Sequence, residues 1–305
     1  MADNSRAINR VFTHGVIDGL LRNGSNDVLD CVARRYVNDP ESKTHGEIFS
    51  EIYAHLGKEK RNEYYYMNTL LNKLLVGIHS VKTTTALSKV RIGEAIADFV
   101  MLNGEGKIYA LEVKSELDNF DRLEGQVRNY YKAFSKVSVL SSVNSLERVK
   151  RKLGGLNGLD GLKGLGDAVG IYVLSERDTI FSKTHGREPV QYDDGLDHAC
   201  IFKLLRKHEY ENAVRSHFRE IPQTTPVFHF RACLEQFKRI PIHEAQKLAF
   251  GELKKRNAIT ASAFSQIRPE LKSVVYFSDL AKRIDDIEYM LELQYSGQQN
   301  VFSLS

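Results

Sequence analysis

Asp98, Glu112 and Lys114 are the residues of this chain whose types and spacing could do chemistry together. The run KIYALEVK around Glu112 alternates apolar and polar positions, the period of a strand, so Glu112 and Lys114 emerge on one face near its C-terminal end. Asp98 sits inside the apolar run AIADFVML, where an unpaired carboxylate is costly. Asn103, Gly104 and Gly106 give a compact turn between the two runs, and the resulting hairpin brings Asp98 close to Glu112. Two carboxylates at close range each resist ionising unless a cation lies with them. A hard divalent ion meets that need, and Mg²⁺ takes one or two carboxylates and keeps several waters. Such an ion stabilises charge on a phosphodiester and lowers the pKa of an attacking water. Lys114 would orient that water, help to deprotonate it, or neutralise the developing charge. The plainer alternative is a Glu–Lys pair at a strand end beside a solvated turn.

The helix expected after this strand bears on the choice. Gln126 and Tyr130 are four residues apart, so they share a face that can look back onto the strand end. From there Gln126 reaches a metal-bound water or a phosphate. Glu63, in the first turn of an earlier helix, is a further candidate acid. Arg122, Arg128 and Lys132, with Tyr130 among them, could line the path of a nucleic-acid backbone. A solvated helix face has the same basic composition.

The elements that must hold these residues can be read from periodicity. The first forty residues read as two helices. Thr44 and Glu47 form a capping box, after which Ile48, Phe49, Ile52, Tyr53 and Leu56 recur at helical spacing. A further helix is expected from Asn62 to Ile78. The strand runs TTTALSKVRI, AIADFVML and KIYALEVK come next, then a helix capped by Asp118 or Asn119, then the strand VSVLSSV. The order helix, three strands, helix, strand predicts a mixed α/β domain. The glycines from Gly154 to Gly166 predict a surface loop rather than a helix, each costing about 1 kcal/mol against alanine. DAVGIYVLS reads as one more strand, and from about Ala199 onward the pattern is helical.

Bulk properties narrow the class. The chain has 305 residues, 42% hydrophobic and 27% charged, enough to bury a core. No apolar run is long enough to span a bilayer, and the polar start MADNSRAINR is not a signal peptide, so a cytoplasmic protein without membrane association is expected. Cys31, Cys200 and Cys233 match no zinc or redox spacing. His229, in the run VFHF, reads as a satisfied core imidazole rather than a ligand. No phosphate-binding loop or nucleophile elbow is present.

The order D, then E-x-K, then Q-x-x-x-Y on this frame resembles the PD-(D/E)XK nuclease superfamily, in its RecB-like branch. The chain also resembles a bacterial nuclease-like family within it, through Arg61 to Tyr64 (RNEY), Thr83 to Leu87 (TTTAL), Ala97 to Phe99 (ADF) and Glu112 to Gln126 (EVKSELDNFDRLEGQ). The resemblance spans about Arg61 to Leu140. It implies a restriction-endonuclease-like αβββαβ core and a Mg²⁺-dependent nuclease, with Mn²⁺ a possible substitute. Asp98 and Glu112 would be ligands, Lys114 the catalytic base or charge stabiliser, and Gln126 and Glu63 in support. The chain departs from the pattern in having Ile96 and Ala97 where the superfamily's name has proline, and Lys89 where relatives tend to carry an acid. The expected division is a helical segment over 1–60, the nuclease-like core over 61–182 with its glycine-rich loop at 153–166, and a helical region over 183–305. The expected partner is nucleic acid, DNA ahead of RNA; the alternative is a non-catalytic nucleic-acid-binding module that keeps the fold.

Overall fold

The computed structural model describes residues 5–59, 61–73, 83–103, 108–158, 164–182, 186–256 and 259–297. Helices come first: α1 (Ser5–Val11), α2 (His14–Asn23), α3 (Asp27–Tyr36), α4 (His45–Glu59) and α5 (Glu63–Asn72). Strands β1 (Thr84–Ile92), β2 (Ala95–Asn103) and β3 (Ile108–Lys114) follow. Then come α6 (Leu123–Tyr130), β4 (Val137–Ser142), α7 (Leu146–Leu156), α8 (Leu165–Ala168), β5 (Gly170–Leu174) and β6 (Ile180–Phe181). The rest is helical: α9 (His198–Phe202), α10 (Lys207–Phe218), α11 (Pro226–Phe237), α12 (Ile242–Lys254), α13 (Ala261–Gln266), α14 (Lys272–Tyr276) and α15 (Ile284–Glu292). This is the mixed α and β class expected, with the order helix, three strands, helix, strand at its centre.

The strands form one sheet in the order β1-β2-β3-β4-β5-β6. The first three pair antiparallel, β3–β4 and β4–β5 are parallel, and β6 returns antiparallel to β5. The β2–β3 turn expected at Gly104 and Gly106 lies outside the described residues. So do Leu74 and Ile78, at the far end of the helix expected from Asn62.

Contacts divide the chain into two units: Met1–Val81 with Ile259–Ser305, and Lys82–Ala258. That partition differs from the 1–60, 61–182 and 183–305 division read from the sequence. In the second unit the helices that follow the sheet share its core. Phe202, Phe237, Phe250 and Leu253 of α9, α11 and α12 are buried in one core with Val100, Ala110, Val127, Val139 and Leu153. Gln246 of α12 also donates to the Ala133 carbonyl at 2.8 Å. His229 is satisfied as expected, its Nε2 2.7 Å from Glu211 Oε1.

The first unit joins segments from both ends. Tyr295 donates to Asp30 Oδ1 at 2.9 Å, and Asn68 receives the Ser273 amide at 2.9 Å while donating to the Pro269 carbonyl at 2.8 Å. The Thr44–Glu47 capping box is present, with both reciprocal bonds made. Among the described residues of the first forty there are three α-helices rather than two. Gly24, left-handed at φ 71°, ends α2, and Asn26 caps α3 by accepting from the Val28 and Leu29 amides.

Where it is described, the glycine-rich stretch also departs from expectation; its residues 159–163 lie outside the described residues. Helix α7 runs through Gly154 and Gly155 to Leu156, because Val149, Leu153 and Leu156 bury one face in the core. That burial outweighs two poor helix formers. Gly166 has a packing role, since a Cβ there would lie 1.9 Å from the Leu153 carbonyl oxygen.

Candidate active site

A row of charge crosses three strands of the second unit. Ser88 pairs with Phe99 and Val90 with Ala97, which sets Lys89 across from Asp98. Phe99 pairs with Leu111, and one step along that register Asp98 stands across from Glu112. Lys89 Nζ donates to Asp98 Oδ1 at 2.7 Å, and the Val113 amide donates to Asp98 Oδ2 at 2.9 Å. Asp98 is thus tied to both neighbouring strands, which is how an apolar strand tolerates a buried carboxylate. Lys89 interrupts the β1–β2 ladder with a left-handed backbone, φ 52°, a conformation costing about 1–2 kcal/mol in an L-residue with a side chain.

Glu112 lies deeper, 2% exposed. Its Oε1 is 2.9 Å from Lys114 Nζ and accepts from Gln126 Nε2, and its Oε2 meets the Tyr130 hydroxyl. Burial pushes the Glu112 carboxyl up to about 7; the Asp98 charge adds to the rise, and Lys114 and Tyr130 oppose it. Burial, with Glu112 beside it, pushes the Tyr130 hydroxyl far above the usual phenol range.

Helix α6 aims Gln126 and Tyr130 because its buried face is Leu123, Val127 and Tyr130, one stripe at helical spacing. Asn129 fixes its far end: Oδ1 accepts from the Glu94 amide at 3.2 Å in the β1–β2 turn. Gly93 makes that approach possible, since a Cβ there would sit 2.5 Å from Asn129 Oδ1 and its φ is +58°. At the near end, the expectation that Asp118 or Asn119 caps the helix is corrected. Asp118 Oδ2 accepts from the Ser115 amide at 2.7 Å and the Ser115 hydroxyl at 2.6 Å, and Asn119 accepts from the Asp121 amide at 2.8 Å. Both side chains are used to close the turn, and the helix begins later, at Leu123, without a side-chain cap. Two other charges of the run are tied down outside the site: Glu116 accepts from Asn144 at 2.9 Å, and Asp121 pairs with Lys152 at 3.2 Å.

Asp98, Glu112, Lys114, Gln126 and Tyr130 therefore come together. Tyr130 does so in a different role from the nucleic-acid contact expected of it, because it is fully buried with its hydroxyl turned to Glu112 and the Ile96 carbonyl. Of the expected backbone-binding cations, Arg122 is exposed, Lys132 donates to Asn129 Oδ1 at 3.0 Å, and Arg128 buries an Nε that finds no acceptor among the described residues. Glu63 belongs to the Met1–Val81 unit, exposed in the first turn of α5 behind the Asn62 cap; the site described here is built from the second unit alone. Sequence reading missed the pairing of Lys89 with Asp98. Its nearest signal was Lys89 itself, where the resemblance to the nuclease superfamily leads one to expect an acid.

The Mg²⁺ implied by the resemblance can be tested against the donor set. Asp98 and Glu112 offer hard oxygen ligands on adjacent strands, the number of carboxylates Mg²⁺ ordinarily takes. Gln126 Oε1 is buried and accepts no hydrogen bond among the described residues, an orphan that a bound water or cation would satisfy. Among those residues no group of three or more His, Cys, Asp or Glu side chains gathers for a metal. The residues fit a two-carboxylate cation site completed by water. Its Asp98 side is held by an ammonium.

A family model described as bacteriophage P4 protein cII matches residues 57–281, about three quarters of the chain. No curated protein and no solved structure matches it. No helix among the described residues is long and apolar enough to cross a membrane.

Proposed function

The chain belongs to the bacteriophage P4 protein cII family, a description that names no reaction, and from that premise we propose that its sheet-bearing unit is a PD-(D/E)XK-type nuclease. It hydrolyses nucleic-acid phosphodiester bonds, of DNA ahead of RNA, with Mg²⁺ or Mn²⁺. The observation that carries this reading is the convergence on Glu112. A lysine from its own strand and a glutamine and tyrosine from the next helix all grip one buried carboxyl, with Asp98 across the register. A fold gains little stability from burying so many polar groups together, and perturbed carboxyls of this kind concentrate at functional sites.

The cation, when bound, supplies charge stabilisation at the phosphoryl oxygens and a more acidic water. This chain's residues do the positioning. Gln126 and Tyr130 fix the plane of the Glu112 carboxyl by holding one oxygen each. Lys114 keeps its ammonium at Glu112 Oε1, where it neutralises charge developing on a phosphodiester or orients the attacking water. The Val113 amide holds Asp98 Oδ2, leaving Oδ1 as the oxygen whose partner is exchangeable.

The test is cleavage of single-stranded DNA, double-stranded DNA and RNA with Mg²⁺ or Mn²⁺, beside Asp98→Ala and Lys114→Ala. Cleavage that both substitutions abolish supports the reading. Cleavage that survives both overturns the site assignment.

The Lys89–Asp98 pair favours a second reading, a unit that keeps the nuclease fold and binds nucleic acid without cutting it. Metal-independent binding with no cleavage of any of the three substrates would select it.

A further inference from the structure

Lys89 combines two unusual properties. It is a lysine with a left-handed backbone in the middle of a strand, and its ammonium rests on a carboxylate oxygen that would face a cation. The first property is a standing cost, and residues held at such a cost cluster where surrounding structure over-determines them for a purpose. The second places a unit positive charge 2.7 Å from Asp98 Oδ1, while Asp98 Oδ2 is held by the Val113 amide. Half of the Lys89 side chain is in water, so it can leave without stranding a buried charge. The Asp98 side chain is 12% exposed, so a carboxylate abandoned by Lys89 needs another cation at once.

We propose that Lys89 is the resident counter-ion of the candidate active site and sets its cation affinity: a divalent ion binds only by displacing the Lys89 ammonium from Asp98. This rests on reading Asp98 and Glu112 as the cation ligands. The consequence is a site stable without metal and weak for metal, loading only where the divalent ion outcompetes a tethered ammonium. The nearby charges do not replace this function. Lys114 is committed to Glu112, and Arg91, two residues along β1, is exposed.

The left-handed backbone selects the variants. Asparagine and glycine adopt φ near +50° more readily than other residues, so Lys89→Asn and Lys89→Gly remove the charge while keeping the strand's course. Calorimetric titration of the full chain with MnCl₂ measures affinity without any need for cleavage, and melting curves with and without Mn²⁺ give a second readout. Both variants should bind Mn²⁺ at least about tenfold more tightly than the parent, because a cation–cation repulsion at short range is removed. They should also show a larger Mn²⁺-induced rise in Tm. Arg91→Asn, which removes a neighbouring charge that does not touch Asp98, should change affinity by less than about twofold. Equal affinity in parent and Lys89 variants overturns the counter-ion role and leaves the metal-site reading intact. No Mn²⁺ binding in the parent or either Lys89 variant overturns both. If Asp98→Asn in the Lys89→Asn background still binds as tightly, the ion is held elsewhere and the assignment fails.

Discussion

The Tyr130 hydroxyl meets Glu112 Oε2 and is also 2.7 Å from the Ile96 carbonyl oxygen. A phenol has one hydrogen, so it donates to one of the two acceptors. The single hydroxyl proton is therefore contested between the Glu112 carboxyl and the Ile96 carbonyl. Burial pushes that carboxyl up to about 7, so it takes up a proton of its own in mildly acidic solution.

Tyr130→Phe removes the hydroxyl and leaves Glu112 Oε2 and the Ile96 carbonyl without it. Glu112 is 2% exposed, and an unsatisfied buried polar group costs about 1–3 kcal/mol, whereas Ile96 is 43% exposed and its carbonyl can turn to water. Urea denaturation should show a loss of that order with an unchanged m value. A variant as stable as the parent would show that water replaces the hydroxyl at both acceptors.

The Glu112 carboxyl makes stability depend on pH in a direction opposite to that of an ion-paired acid. Its folded pKa is raised, so the folded state holds more protons than the unfolded state between about 4.5 and about 7. The contribution is fully present below about 4.5 and is lost as pH rises through about 7. One pKa unit corresponds to about 1.4 kcal/mol, so the whole effect is roughly 3 kcal/mol. In EDTA, the gap in unfolding free energy between parent and Glu112→Gln should move against the parent by about that amount from pH 4.5 to pH 8. A gap that stays constant would mean that Glu112 ionises as an ordinary carboxylate.

Arg256 clamps Glu209 with two bonds, Nε to Oε1 at 2.6 Å and Nη2 to Oε2 at 2.5 Å, and also donates to the Leu204 carbonyl at 2.8 Å. Glu209 is 2% exposed. Arg256→Met leaves that carboxylate with the Arg206 amide but no counter-charge from Arg256, and should cost about 3–5 kcal/mol, the scale for breaking a buried pair. Adding Glu209→Gln should recover a substantial part of the loss in a double-mutant cycle. Additive losses would remove the pair as the cause.

The glycines of the stretch after Leu153 should respond in opposite directions. Gly154 lies in α7 with open space where a Cβ would go, so Gly154→Ala should raise stability by about 0.5–1 kcal/mol. A Cβ on Gly166 would collide with backbone at 1.9 Å, so Gly166→Ala should lose at least about 2 kcal/mol. Melting curves of the two variants test this directly, and a shift of the same sign in both would contradict it.

Glu112 and the four residues around it were legible because each rests on a short-range rule. Period two places Glu112 beside Lys114, and a spacing of four places Gln126 beside Tyr130. The burial of Tyr130 was legible only in part: it lies on the apolar stripe of its helix, but an aromatic at that spacing suits a core face and a binding face equally. Asp118 was misread because an acid that closes a turn and an acid that caps a helix have the same sequence signature. Lys89 was opaque for a different reason: a strand pattern says nothing about a sign change in φ at a lysine. Helix α7 ran through its glycines because Leu153 and Leu156 had a core to enter, which propensity alone does not register.

The split between the two units has a consequence for synthesis. Lys82–Ala258 is one continuous stretch, whereas the other unit needs both Met1–Val81 and Ile259–Ser305. A ribosome emits about 5–20 residues per second, so α4 waits on the order of ten seconds or more for the segment carrying Gln294, which bridges to Thr44. During that wait Ile48, Phe49, Ile52 and Leu56 lack their late-arriving neighbours. The sheet can close over Asp98 and Glu112 in the same interval. Translation therefore completes the stretch that carries Asp98 and Glu112 before it completes the unit that was begun first.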